Sequence, residues 1–215
     1  IDPDKDLRIT LIEAGDRILP ALPERVSATA ASLLLTLKVE ILTGARVSEV
    51  RAGEVLLAQG DSIPAELVVW AAGIKAPAVL SALDGLEVNR INQLVVKSTL
   101  ETTVDPSIFA IGDCAACKWI GGPAESPYVP ARAQAAHQQA SHLVGQIGRR
   151  LAGTPLTDWH YRDFGSLVSL GRYSAVGNLM GSLTGRKFWV EGFMARMMYR
   201  LLYKQHQIAL HGYWK

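Results

Sequence analysis

Three observations predict an α/β fold. Short apolar runs with strand character alternate with stretches of helical periodicity. Two of the runs end in glycine turns, Ala71-Ala72-Gly73 and Gly112-Asp113. The composition is globular: 215 residues, 49% hydrophobic and 20% charged, enough to bury a core and incompatible with a disordered, collagen-like or low-complexity chain. Two cysteines provide neither a disulfide framework nor a complete structural zinc site, and a formal charge of +2 does not mark a general nucleic-acid binder. No apolar run approaches the roughly 18 residues of a membrane-spanning helix. The chain opens Ile1-Asp2-Pro3 without methionine or a basic-then-apolar signal segment, as expected of a processed protein or part of a longer one.

In chain order, Leu7-Arg8-Ile9-Thr10-Leu11-Ile12 alternates and then turns apolar, which reads as a buried strand. Glu13 follows at its end. Pro23-Glu24 opens a helix to about Leu37, since proline is accepted in a first helical turn. Val39-Glu40-Ile41-Leu42 reads as a strand. Runs over 47–50 and 54–57 flank Arg51-Ala52-Gly53 as a hairpin, and Leu67-Val68-Val69-Trp70 reads as a second buried strand. Residues 75–94 are loop-rich with one short helix. Strands are expected at 93–97 and at Ile108-Phe109-Ala110-Ile111, and a helix over about 131–151. Two short strands follow around 166–170 and 173–176, then a final helix over about 188–204.

The chemistry-bearing residues sit at strand ends. An acid at the end of the strand after a dinucleotide-binding glycine turn hydrogen-bonds ribose hydroxyls, so Glu13 suits NADH over NADPH; the turn itself would precede residue 1. Gly112 permits close ligand approach, and the Asp113 carboxylate accepts from a ribityl hydroxyl, at the C-terminal strand edge where open α/β sheets bind ligands. Thr102 lies upstream. Gln134 and Gln138 are four apart, hence on one helical face. Cys114 and Cys117 form a C-x-x-C, read as reduced thiols without a required redox role. Residues 186–215 carry Arg186, Lys187, Arg196, Arg200, Lys204 and Lys215 against Glu191. Val190, Phe193, Met194, Met197, Met198, Leu201 and Leu202 recur there at helical spacing, the pattern of a basic amphipathic helix on an anionic membrane.

Taken together, residues 12–20, 69–74, 108–114 and 130–139 resemble type II NADH dehydrogenase, the single-subunit, non-pumping NADH:quinone oxidoreductase. The resemblance runs over essentially the whole chain, as the C-terminal half of the family's length. It implies a partial two-dinucleotide-binding (FAD/NAD) flavoprotein scaffold. Residues 1–74 would complete the NADH-binding domain and 75–153 the FAD-binding domain, with 154–215 a C-terminal membrane module. It assigns Asp113, with Gly112, to the FAD ribityl chain. Arg132, Ala133 and Gln134 at a helix start face the flavin ring, and Ala72 and Gly73 form the nicotinamide-side turn. Gln134 and Gln138 belong beside the quinone head group as the residues carrying the reaction, with Leu167 as an apolar wall. FAD and NADH are the implied cofactors. A membrane quinone and an anionic lipid surface are the implied partners, and nucleic acid is not; a homodimer is compatible. The implied location is peripheral, on the cytoplasmic face of the cell membrane. Because both glycine turns of such a scaffold fall outside the chain, these 215 residues alone are expected to hold no stable FAD and to be inactive. Two alternatives stay open: another NAD(P)H- or sulfide-linked reductase of the same scaffold, and a non-enzymatic membrane-binding remnant.

Overall fold

A computed structural model describes residues 2, 6–20, 22–124, 126–170, 174–180 and 187–212. Along the strands of 165–191 the backbone course is described and the side chains beyond Gly165 are not. The chain divides into two compact units, Ile1–Trp70 with Gly165–Lys215, and Ala71–Phe164.

The first unit opens with β1 (Ile9–Ile12), α1 (Glu24–Thr36) and β2 (Val39–Leu42). β1 and β2 pair in parallel with Ile9 opposite Val39 and Ile12 opposite Leu42, so the intervening helix is the crossover that parallel neighbours require. α1 turns Val26, Ser27 and Ala30 inward, and the buried Ser27 hydroxyl donates to the Ile18 carbonyl at 2.6 Å. The expected hairpin is β3 (Val47–Arg51) with β4 (Glu54–Leu57). A third antiparallel strand, β5 (Ser62–Pro64), joins β4 and was not read from the sequence.

Residues 67–70 correct an expectation. They enter no ladder among the described residues, and Leu67, Val69 and Trp70 are 83%, 79% and 65% exposed. An apolar run marks a segment suited to burial on both faces; it does not supply the neighbouring strand that would bury it.

The unit's second part is a meander of β8 (Gly165–Leu170), β9 (Ser174–Met180) and β10 (Lys187–Glu191), followed by a helix over Gly192–His211. That helix was expected over 188–204. Phe188, Trp189 and Val190 instead pair with Leu179, Asn178 and Gly177 of β9, so the helix begins after the strand and runs further.

The second unit contains β6 (Leu94–Val96), β7 (Ala115–Cys117) and the helix α2 (Ala133–Leu151); the helix over Gly192–His211 is accordingly α3. β6 and β7 pair in parallel, Leu94 opposite Ala115. The run 108–111 departs from the expected strand. It is extended but joined to 100–102 only locally, by a Phe109–Glu101 bridge and by the Thr102 N–H donating to the Ile108 carbonyl at 2.8 Å. The core gathers Leu94, Val96, Leu100, Cys117, Trp159 and Tyr161, with Leu100 fully enclosed. Between Leu151 and β8 the chain returns as an extended strap alongside α2.

Candidate functional site

Gly112 adopts φ +65°, the left-handed region where a side chain is strained, and a Cβ there would sit 3.5 Å from the Ala136 Cβ on α2. Its N–H donates to the Gln139 Oε1 at 2.6 Å. Gln139 is 2% exposed, so this bond is shielded from water. On the other side, the Gln93 amide donates to the Asp113 carbonyl at 3.0 Å, and Gln93 is itself held by Asn89 at 2.9 Å. Two buried amides thus fix the backbone of the Gly-Asp turn, leaving the Asp113 side chain exposed. Thr102 serves the preceding turn: its hydroxyl donates to the Asp105 carbonyl at 2.6 Å and accepts from the Asp105 N–H at 3.2 Å.

Asp113 and Cys114 share an open cleft of about 330 Å³ with Gly73, Lys75, Ala76 and Pro77. Gly73 has φ +99° with nothing within 4 Å of where a Cβ would stand, so the backbone is bare on that side. Ala72 is exposed beside it. Both cysteines are free thiols. Cys114 is exposed, whereas burial in β7 pushes the Cys117 thiol up to about 11. The two are therefore in different environments. Among the described residues no group of His, Cys, Asp or Glu gathers that could hold a metal ion.

Arg132 is the N-cap of α2 in extended conformation and gives no side-chain bond to the helix start. The Arg132 guanidinium lies 3.8 Å from the Asp163 carboxylate. The two glutamines expected beside a quinone are engaged with the strap. Gln134 donates to Asp163 Oδ1 at 3.2 Å and accepts from the Phe164 N–H at 3.1 Å. Gln138 donates to the Arg162 carbonyl at 2.8 Å and accepts from the Arg162 N–H at 3.0 Å. The series continues: His142 meets the Thr157 carbonyl at 3.0 Å, and Gln146 accepts from the Thr157 N–H at 3.0 Å. Residues 134, 138, 142 and 146 are spaced by four, so one stripe of α2 holds the strap along its length. Gln139 and this stripe were missed in the sequence. The available signal was a glutamine at 139 on the same helical face as Ala135, a face otherwise buried.

In the other unit, Glu13 follows β1. Its Oε1 accepts from the Gly15 N–H at 2.8 Å, and its own N–H donates to the Leu42 carbonyl at 2.8 Å. Leu167 lies on β8, and its side chain is outside the described residues. On α3, Phe193, Met194, Met197 and Leu201 form an exposed apolar stripe, Phe193 at 78%, with Arg200 and Lys204 exposed at its edge. No described helix is long and apolar enough to cross a membrane.

A left-handed Gly-Asp turn locked against a helix start, with a parallel β-α-β unit whose first strand runs into the acid Glu13, marks the fold as a dinucleotide-binding type. The family model described as pyridine nucleotide-disulphide oxidoreductase matches residues 4–140, and the chain belongs to that family. Among curated relatives, the type II NADH:quinone oxidoreductase of Haemophilus influenzae is 45% identical over 206 residues, 96% of this chain and 46% of the relative. The demethylphylloquinone reductase NdbB of Synechocystis is 31% identical over 216 residues, 96% of this chain and 51% of the relative. The chain thus spans about half the length of the curated relatives it matches. The solved structure of NDH2 from Plasmodium falciparum in complex with NADH aligns with a TM-score of 0.73, covering 93% of this chain and 54% of that one; at 17% identity this likeness concerns the fold.

Proposed function

We propose that this chain is the C-terminal portion of an FAD-dependent enzyme that passes electrons from NADH to a membrane quinone without pumping protons. The observation that carries the reading is the Gly112-Asp113 turn, fixed by Gln139 and Gln93 with its carboxylate left outward. The residues fit a flavin on two counts. The exposed Asp113 carboxylate is an acceptor for ribityl hydroxyls, and the bare Gly73 backbone leaves room for a planar ring. Arg132, Ala133 and Gln134, at the N-terminal end of the 19-residue α2, would face the ring, where the helix's partial positive charge would favour a reduced, electron-rich ligand. When bound, the flavin supplies the two-electron chemistry.

The chain's own residues bind and orient. In the unit with β1, Glu13 accepts from NADH ribose hydroxyls through the carboxylate oxygen not tied to Gly15. Ala72 and Gly73 leave the nicotinamide side uncrowded. Gln134 and Gln138 offer uncharged amide donors to a quinone carbonyl; an amide has two N–H donors, so Gln138 can keep its grip on Arg162 while donating. The α3 stripe rests on lipid, its basic edge against anionic headgroups, each such charge contributing about 1 kcal/mol. On this reading the enzyme is peripheral, on the cytoplasmic leaflet.

The test is Asp113→Ala in the full-length protein. Purified wild type is expected to be yellow and to be bleached by NADH. The variant is expected to fold and to lose most of its flavin on gel filtration. Full flavin retention by the variant would contradict the assignment of Asp113.

A further inference from the structure

We infer that Lys75 is the counter-charge for the reduced flavin: its ammonium, in the cleft it shares with Asp113, stabilises the negative charge the ring gains with two electrons and so raises the flavin's midpoint potential. The inference rests on the flavin reading above and adds to it a residue that tunes the potential.

The cleft is lined by two stretches of chain, 73–77 and 113–114, and a single turn braces both. On the first stretch, the Ala76 N–H donates to the Ile91 carbonyl at 2.9 Å, and the Asn92 amide donates to the Ala76 carbonyl at 3.4 Å. On the second, the amide of the neighbouring Gln93 holds the Asp113 carbonyl. The turn is bonded within itself. Asn89 Oδ1 accepts from the N–H groups of Ile91 and Gln93, both at 3.0 Å, and Asn92 takes φ +62°, a left-handed conformation that asparagine tolerates. Ala76 is 6% exposed, and Pro77 restricts the backbone on its other side. Lys75 therefore leaves a backbone anchored one residue away, at a fixed place relative to the Gly-Asp turn.

The cleft carries a cation and an anion that do not pair. Among the described residues, neither the Lys75 ammonium nor the Asp113 carboxylate has a hydrogen bond or an ion pair. On the reading above, Asp113 accepts from ribityl hydroxyls, and Gly73, two residues before Lys75, offers the ring a bare backbone. A ring in that position becomes more negative on reduction, and the carboxylate sharing its cleft opposes the change. Lys75 is the one cationic side chain among the residues lining the cleft, so it is the group that offsets the carboxylate. Its field acts unequally on the two oxidation states. A neutral oxidised ring gains little from it, whereas a negative reduced ring gains a Coulomb attraction. The effect therefore shows in the potential and not in the hold on oxidised flavin.

The experiment titrates the full-length, FAD-loaded protein anaerobically against redox dyes and reads the midpoint potential from flavin absorbance. K75M is expected to keep its flavin on gel filtration and to lower the reduced-to-oxidised equilibrium about tenfold, a fall of about 30 mV for a two-electron couple. K75R restores the charge and is expected to match wild type. Added salt should narrow the gap between K75M and wild type, because charges in an open cleft are screened. K118M removes an exposed lysine just past β7, outside the cleft, and should leave the potential unchanged. Should K75M not fold, K75Q carries the same comparison. A K75M potential equal to wild type overturns the inference. So does a K75M protein that loses oxidised flavin, or raises only the KM for NADH, at an unchanged potential, since both put the ammonium against a phosphate. An equal shift in K118M also overturns it, because overall charge then explains the effect. A wild type that holds no flavin removes the functional reading itself, and this inference with it; that outcome is distinct from a yellow wild type whose potential K75M leaves alone.

Discussion

The bond from the Gly112 N–H to the buried Gln139 can be removed with little change in volume by Gln139→Leu. The leucine fills the same space on α2 but accepts nothing, and the Gly112 N–H is left facing an apolar group. An unsatisfied buried donor costs about 1–3 kcal/mol. Gly112 is only half-buried, so the lower part of the range applies, about 1.5–2 kcal/mol. For a domain of this size each kcal/mol lowers Tm by about 2–4 °C, giving a fall of about 3–8 °C. Gln138→Leu is the internal control. It removes two hydrogen bonds rather than one, but both are open to solvent and water replaces them, so its cost is about 0.5 kcal/mol. Thermal unfolding of the full-length variants followed by circular dichroism, with the flavin-to-protein ratio read from absorbance, compares the two. Q139L is expected to be the less stable variant and to lose flavin as the Asp113 turn loosens. A Q138L protein as destabilised as Q139L, or a Q139L protein with wild-type Tm, would refute the reasoning.

Three further outcomes follow from the same geometry. A maleimide at pH 7.5 should label Cys114 in the folded protein and spare Cys117, as mass spectrometry of the tryptic peptides will read; equal labelling contradicts the burial of β7. Stability should decline above pH 9. The unfolded chain ionises Cys117 from its ordinary value of 9.0, while the folded thiol stays protonated to about 11, so the unfolded state binds fewer protons in that window. C117A should flatten the decline between pH 9 and 11 in urea melts. On α3, Met197→Glu with Leu201→Glu should abolish flotation of the full-length protein with anionic vesicles without altering its flavin spectrum; unchanged flotation would remove the helix from the membrane contact.

The parts of the fold legible in the sequence were those whose cause is local. The β1-α1-β2 unit follows from apolar period and a proline at the helix start. The β3–β4 hairpin follows from Ala52-Gly53, where Gly53 takes φ +84°. The Gly-Asp turn was legible because few residue pairs suit a left-handed turn with an outward carboxylate. What was not legible depends on partners distant in sequence. β7 is Ala115-Ala116-Cys117, small residues with weak strand preference that become a strand through pairing with β6. Phe188, Trp189 and Val190 fit either a helix or a strand by pattern, and the β9 partner decides for the strand. Gln134 and Gln138 were correctly placed on one face. Their grip on residues 162–164 was invisible, because nothing local announces that an extended strap returns there. Gln139, one residue away, does the work of fixing the turn; a glutamine on an apolar helical face is the sign that could have revealed it.

The measurement that tests the central claim most directly is anaerobic stopped-flow mixing of the full-length, flavin-loaded protein, first with stoichiometric NADH and then with a short-chain benzoquinone. The account predicts loss of the oxidised flavin band on the first mix and its return on the second. A flavin that NADH leaves oxidised, or one that is reduced but stays bleached in the presence of the quinone, would contradict it.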